Sequence, residues 1–226
     1  MEISEHIYSF PIETTYFGTE RTFHAAGIEG TDGLYLFDVG GPGDTDALVD
    51  ALVADGFRLE DVVKVFTTHH DYDHVACLAD LADRGSFEVI AHRNATPYLQ
   101  GNIRTIKRPQ EFYSGVPVDV QLTGGERFRS KVGEVLTVFT PGHGPDHLVF
   151  YIEAAGVLIA GDLLRNDSEY LGGPNPDFTL NMAAARDSME KLLDFEITDV
   201  VCYHGGHMEA TEADVRRVYD TLLTAI

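Results

Sequence analysis

A layered α/β fold is the architecture this sequence predicts, and two patterns predict it. Short segments rich in β-branched and aromatic residues recur along the chain, first in quick succession and later interleaved with stretches whose apolar residues fall three and four apart. Alternation of that kind stacks helices against sheets in packed layers. A third pattern concerns what the layers carry: several apolar strands finish on a histidine or an aspartate.

In chain order, strands are predicted over Glu5–Glu13, Thr22–Ile28, Gly33–Val39, Val62–Thr68, Phe87–His92, Val116–Leu122, Glu134–Thr140, Leu148–Glu153, Gly156–Ala160 and Asp199–Tyr203. Helices are predicted over Asp44–Asp55, where Ala47, Leu48, Ala51 and Leu52 share a face, and over Asp73–Asp83, where Val75, Leu78, Ala79 and Ala82 do so. Two more are predicted over Thr179–Phe195 and Thr211–Ala225, the latter opened by a Thr cap with an acid downstream. Residues 94–110 hold several turn formers, and five of the sixteen basic residues lie between Arg84 and Arg108. A plain surface connection is the simpler reading of that segment, and a lid over a site is the other.

Composition narrows the class. The 226 residues are 44% hydrophobic and 23% charged with no linker-like stretch, so residues 1–226 are expected to form one domain. No apolar window is long enough to span a membrane. The N-terminus carries acids where a signal peptide would carry positive charge, and Cys77 and Cys202 alone cannot make a disulfide framework. A reducing cytoplasm is therefore expected, with both cysteines acting as small buried hydrophobes. Sixteen basic against 37 acidic residues give a net charge of −21. Such a surface repels phosphate backbones and anionic lipids, so the expected partner is a small-molecule substrate, with no nucleic acid and no membrane. It also resembles an adaptation to high intracellular salt, where screening relieves self-repulsion. A homodimer is compatible with all of this.

The densest chemistry lies in Thr67-Thr68-His69-His70-Asp71-Tyr72-Asp73-His74, which follows the apolar run Val62–Phe66 and leads into the second helix. In an extended segment, side chains two apart share a face, so His69 and Asp71 can grip one ion together. Where the chain turns into the helix, Asp73 and His74 can point toward a second ion. Zinc and similar metals accept imidazole and carboxylate ligands of this sort. On its own, such a stretch could equally be a histidine-rich surface loop that binds nothing. Three further strand ends weigh against that: Pro141-Gly142-His143, then Ala160-Gly161-Asp162, then Cys202-Tyr203-His204-Gly205. Packing gives no reason for four apolar strands to end on metal-type ligands, and an unpaired carboxylate there would be costly to bury.

This ordered set resembles the metallo-β-lactamase superfamily, whose signature is a His-x-His-x-Asp-His run, then Pro-Gly-His, Gly-Asp and a late His-Gly. Leu34-Tyr35-Leu36-Phe37-Asp38-Val39-Gly40 resembles the family's upstream strand and its Asp-x-Gly turn. The resemblance implies a four-layer αββα sandwich with the metal site at one edge of the two sheets. Carried over residue by residue, it implies His69, Asp71 and His143 around a first ion. It implies Asp73, His74 and His204 around a second, with Asp162 bridging the two. Asp71 departs from the family pattern, standing where the second histidine belongs. Asp38 is implied as a brace for the histidine-rich loop, His70 as a spacer, and His147 as a residue behind the ligands; His207 is expected at the surface. Two divalent ions are implied, zinc first, while the harder carboxylate of Asp71 opens the site to iron or manganese.

The same resemblance implies a metal-dependent hydrolase. A hydroxide bridging the binuclear site, oriented by Asp73 as the catalytic residue, would cleave a small-molecule ester, thioester or lactone. A β-lactam suits a cytoplasmic protein less well. Tyr203, Tyr170 and His207 are candidates for an extra donor to the carbonyl oxygen. The alternative is an iron-dependent, dioxygenase-like oxidoreductase on the same fold, which Asp71 favours. A nuclease would be expected to carry an RNA-gripping arm that is not evident here, and a scaffold without catalysis would not need the full ligand set.

Overall fold

The computed structural model describes residues 1–224, with side chains through Leu222. Its strands are β1 (Glu2–Ser4), β2 (Ile7–Tyr16), β3 (Thr19–Glu29), β4 (Leu34–Phe37), β5 (Val62–Phe66), β6 (Glu88–His92), β7 (Val120–Leu122), β8 (Arg127–Arg129), β9 (Glu134–Phe139), β10 (Leu148–Ile152), β11 (Val157–Gly161), β12 (Arg165–Asn166), β13 (Leu171–Gly172), β14 (Asp199–Cys202) and β15 (Gly206–Glu209). The helices are α1 (Thr45–Ala54), α2 (Tyr72–Val75), α3 (Leu78–Arg84), α4 (Thr96–Leu99), α5 (Met182–Glu190) and α6 (Glu212–Thr224).

β1 to β7 form one sheet in sequence order, antiparallel up to β4 and parallel from β4 to β7. The second sheet runs β15-β14-β11-β10-β9-β8, with β11 and β14 parallel, and β12 and β13 make a separate small pair. Alternation along the strands sends successive side chains to opposite faces. Phe37, Phe66 and Ile90 of the first sheet thus meet Phe150, Ile159 and Val201 of the second in a shared core. On the outer face of the first sheet, Leu36, Val65 and Val89 pack with Leu48 and Leu52 of α1 and Leu78 and Leu81 of α3. On the outer face of the second, Val149, Leu158 and Val200 pack with Met189 of α5 and Val215 of α6. Helices therefore cover both outer faces of two packed sheets, which is the αββα sandwich. No helix among the described residues is long and apolar enough to cross a membrane.

The inter-sheet core is firmest beneath the strand ends that matter. Phe37 stacks on Phe66 at 4.9 Å, and both meet the edge of Phe150, at 4.8 and 5.5 Å. All three rings are fully buried, so truncating one to alanine costs about 3–5 kcal/mol. Phe37 immediately precedes Asp38, and Phe66 leads into the histidine-rich turn. The aromatic cluster thus anchors two of the strand ends that carry polar groups.

Several expected elements differ in extent. The helix expected over Asp73–Asp83 is broken into α2 and α3, because the Asp73 carbonyl accepts the Tyr203 hydroxyl and the Cys77 N–H turns to the Gly40 carbonyl at 3.4 Å. Each of those groups thereby loses the partner that would continue the helix. The helix expected over Thr179–Phe195 is confined to α5, which Asn181 caps through the Ala184 N–H at 3.0 Å. The strand expected over Val116–Leu122 is confined to β7. The final helix matches α6, where the Thr211 N–H and hydroxyl both donate to the Asp214 carboxylate; Ala225 lies outside the described residues.

Candidate metal centre

Every candidate ligand leaves the end of a strand or the turn that follows it, at one edge of the sandwich. Asp38 follows β4 in a left-handed conformation, φ 60°, that a residue other than glycine adopts at a cost. That turn aims its carboxylate across to the next strand end. Oδ1 accepts the Thr68 N–H at 2.8 Å, and Oδ2 accepts the Thr68 hydroxyl at 2.7 Å and faces Nδ1 of His74 at 2.9 Å. Held this way, His74 faces Asp38 through Nδ1 and turns Nε2 inward. Asp38 is thus a brace, as expected.

The inward atoms fall into two adjoining groups. His69, Asp71, His143 and Asp162 offer atoms within 4.8 Å of one another, and Asp73, His74 and His204 form a second such group. In the first, Oδ2 of Asp71 lies 3.1 Å from Nε2 of His69 and 3.0 Å from Nε2 of His143. In the second, Nε2 of His204 lies 3.4 Å from Oδ2 of Asp73. Asp162 joins them: Oδ2 is 3.2 Å from Nε2 of His143, while Oδ1 is 3.3 Å from His74 and 3.4 Å from His204. The structure therefore brings together all seven residues singled out in the sequence.

Three of these atoms decide whether a metal fits. Nε2 of His69, Nε2 of His74 and Oδ1 of Asp162 are buried with no hydrogen-bond partner. An orphaned buried polar atom ordinarily costs about 1–3 kcal/mol, and these three, spread over the two adjoining groups, call for cationic partners. Ligand atoms about 2.1 Å from a tetrahedral ion stand about 3.4 Å apart, close to the spacings here. The nitrogen and oxygen donor set fits divalent ions of the zinc, iron or manganese kind.

Electrostatics point the same way. Burial, aided by the neighbouring His74, holds the His69 ring well below its ordinary pKa, so it is a neutral imidazole with a free lone pair. Burial opposes charge on His74 too, but Asp162, Asp38 and Asp73 outweigh it and raise its pKa well above the ordinary value. Asp162 is held well below the carboxylate range, its burial outweighed by His204, His74 and His143. Burial, with Asp162 and Asp71 adding to it, raises Asp73. Buried carboxylates thus meet buried imidazoles in one pocket, a donor set that favours a cation.

The supporting residues are mostly where they were expected. His147, pushed down to about 3 by burial, accepts the Asp162 N–H on Nε2 at 3.0 Å and meets the Thr140 hydroxyl through Nδ1 at 2.9 Å. Gly161 permits this approach: at φ 51°, a Cβ would lie 2.8 Å from Nε2 of His147 and 2.9 Å from Cβ of Thr68. His70 turns away from the cluster and stacks on Tyr98 at 3.9 Å, consistent with a spacer. His207 is pinned to Asp199 at 2.7 Å, outside the cluster. Tyr203 is not available as a donor to substrate, because its buried hydroxyl donates to the Asp73 carbonyl and its ring stacks on His74 at 3.8 Å. Tyr170 lies exposed beside β13. Both cysteines are buried, and burial pushes the Cys77 thiol up to about 12, so neither serves the site.

Two residues here escaped the sequence reading. Asp146, fully buried, holds His70 through its ring and its backbone N–H. Lys107, from the segment read as a plain surface connection, reaches into the first group, where its ammonium contacts Oδ2 of Asp71 and lies 2.7 Å from Nε2 of His143. That segment is therefore part of the site. The available signal was that Lys107 is one of only four lysines in a strongly acidic chain.

The family model for the metallo-β-lactamase superfamily matches residues 26–204, a span that contains every one of these ligands. The chain belongs to the metallo-β-lactamase superfamily. It is 25% identical over 205 residues to the probable metallo-hydrolase YybB of Bacillus subtilis, covering 90% of each chain. It is 30% identical over 118 residues to a hydroxyacylglutathione hydrolase of Rhizobium meliloti, covering 52% of this chain and 38% of that one. Among solved structures, a metallo-β-lactamase family protein of Thermus thermophilus superposes with a TM-score of 0.76 at 22% identity, over 99% of this chain and 80% of that one. A subclass B3 metallo-β-lactamase of Bradyrhizobium japonicum does so at 0.72 and 18% identity, over 100% and 90%. These structures share the fold. As a member of this superfamily the chain is a metallo-hydrolase.

Proposed function

We propose that this metallo-hydrolase cleaves a small-molecule ester, thioester or lactone at a binuclear centre held by His69, Asp71, Asp73, His74, His143, Asp162 and His204. The observation that carries the reading is Asp162, which turns one carboxylate oxygen toward each group of ligands. With its oxygens placed so, Asp162 would hold both cations together with the two groups of ligands. Two bound divalent ions would supply a water acidified to a pKa of about 7 and a polarised carbonyl.

The chain's own residues do the rest. Asp73, in the second group 3.4 Å from His204, would accept the proton of an attacking water and deliver it to the leaving oxygen or sulfur. Its backbone is fixed by the Tyr203 hydroxyl on its carbonyl, which holds the carboxylate in register with His204. Asp38 and His147 hold His74 and Asp162 in orientation, so little reorganisation accompanies the reaction.

Support for a thioester comes from the hydroxyacylglutathione hydrolase likeness, since an acylglutathione is a thioester. The test is a panel of thioesters, esters and lactones offered to zinc-, iron- and manganese-loaded protein. Hydrolysis that a chelator abolishes and added metal restores is the expected result. No hydrolysis across the panel, with oxygen uptake by the iron form, would replace this reading with the oxidoreductase.

A further inference from the structure

The two groups of ligands differ in one respect: among the described residues, only the first holds a lysine ammonium. Nζ of Lys107 contacts Oδ2 of Asp71 and lies 2.7 Å from Nε2 of His143, and those two ligand atoms are themselves 3.0 Å apart. The ammonium therefore sits on the same lone pairs that a metal ion in the first group would use. Among the described residues, no lysine or arginine pairs with Asp73 or Asp162, whose only ion-pair partners are histidines.

Lys107 is not a stray surface side chain. Its loop is closed on itself, with the Thr105 N–H on the Glu111 carbonyl at 3.1 Å and the Thr105 hydroxyl on the Arg108 carbonyl at 2.8 Å. Arg108, the next residue, lies over the Phe17 ring at 4.0 Å and the Tyr72 ring at 4.8 Å. Downstream, the Tyr113 hydroxyl donates to the His70 carbonyl. Ring contacts on one side and a hydrogen bond on the other hold the loop against the site, and its lysine side chain is 20% exposed.

We propose that Lys107 is a built-in competitor for the first metal position, so that the two ions bind with unequal affinity. The proposal rests on the metal-centre reading above. The side chain at position 71 is what makes the competition favourable. A histidine there would offer a neutral lone pair, whereas the Asp71 carboxylate also attracts an ammonium. A lysine and a divalent ion cannot share atoms 3.0 Å apart, because their like charges repel in a buried pocket. Either the ammonium swings out or the ion stays away. Apparent affinity then falls by the fraction of molecules in which the lysine has left, so a lysine seated about 90% of the time weakens the first ion about tenfold.

The measurement is zinc titration of metal-free protein against a chromophoric chelator, for the intact chain, Lys107→Met and Lys107→Gln. The intact chain should take one ion tightly and a second about tenfold or more weakly, while both variants take two ions of similar affinity. A companion readout is acylation of Lys107 followed by mass spectrometry, which should become faster as the second, weaker ion is added. Two equal sites in the intact chain, or weaker binding in both variants, would overturn the competition and leave the metal centre standing. No binding by any of the three proteins would overturn both.

Discussion

Oδ2 of Asp146 accepts the backbone N–H of His70 at 2.8 Å, while Oδ1 of the same carboxylate meets the ring Nδ1 of His70, also at 2.8 Å. This double grip turns the middle histidine of the motif away from its neighbours and leaves His69 and Asp71 to face the cluster.

It follows that His69→Ala and His70→Ala separate. At saturating zinc, His69→Ala should lose the first ion, because an inward nitrogen is gone. His70→Ala should keep both ions but lower the melting temperature, since it strips a buried carboxylate of a partner at a cost of about 1–3 kcal/mol. Metal content and melting curves distinguish the two, and equal metal loss would place His70 among the ligands.

Asp38 acts through His74. Asp38→Asn should preserve the fold while weakening the ion on His74 by about 10- to 100-fold, the usual effect of losing an orienting carboxylate behind a ligating histidine. Chelator competition reads this directly. Unchanged affinity would show that the His74 ring needs no brace.

How much of this was legible varied with the kind of contact involved. β4, β5, β11 and β14 are buried strands that read as apolar runs, so their ends, and the ligands on them, could be found. β8, β12, β13 and β15 are short and mix Arg, Asn, Gly, His and Glu with single apolar residues, and their pairing is decided by neighbours that a local pattern does not contain. The break between α2 and α3 depends on Tyr203, 130 positions from the carbonyl it captures. Lys107 and Asp146 likewise find partners 36 and 76 positions away, and no periodicity marks such pairs. Ligand types at strand ends are local signals; the residues that hold or contest them are not.

A second carboxylate gives a pH test away from the metal centre. Glu126 is held down to about 2: its partial burial is outweighed by the Thr123 N–H and the Thr137 hydroxyl. A carboxyl depressed on folding stabilises above its ordinary value of 4.5, and the contribution is lost as pH falls through about 2. Glu126→Gln should therefore cost about 1 kcal/mol at neutral pH, with the gap closing between those limits in acid unfolding curves. A gap independent of pH would assign the loss to packing.

The net charge of −21 makes salt a further variable. If the acidic surface is adapted to high ionic strength, the melting temperature should rise between dilute buffer and molar KCl as screening relieves self-repulsion. A flat response would remove that explanation of the surface.

The central claim is that Asp162 joins two groups of ligands into one metal centre. Elemental analysis after equilibration with excess zinc, followed by removal of free metal, tests it most directly in the intact chain and in Asp162→Ala. The account predicts bound zinc in the intact chain and a loss of most of it in the variant, with the fold retained by circular dichroism. No zinc in the intact chain, or equal zinc in both, would contradict it.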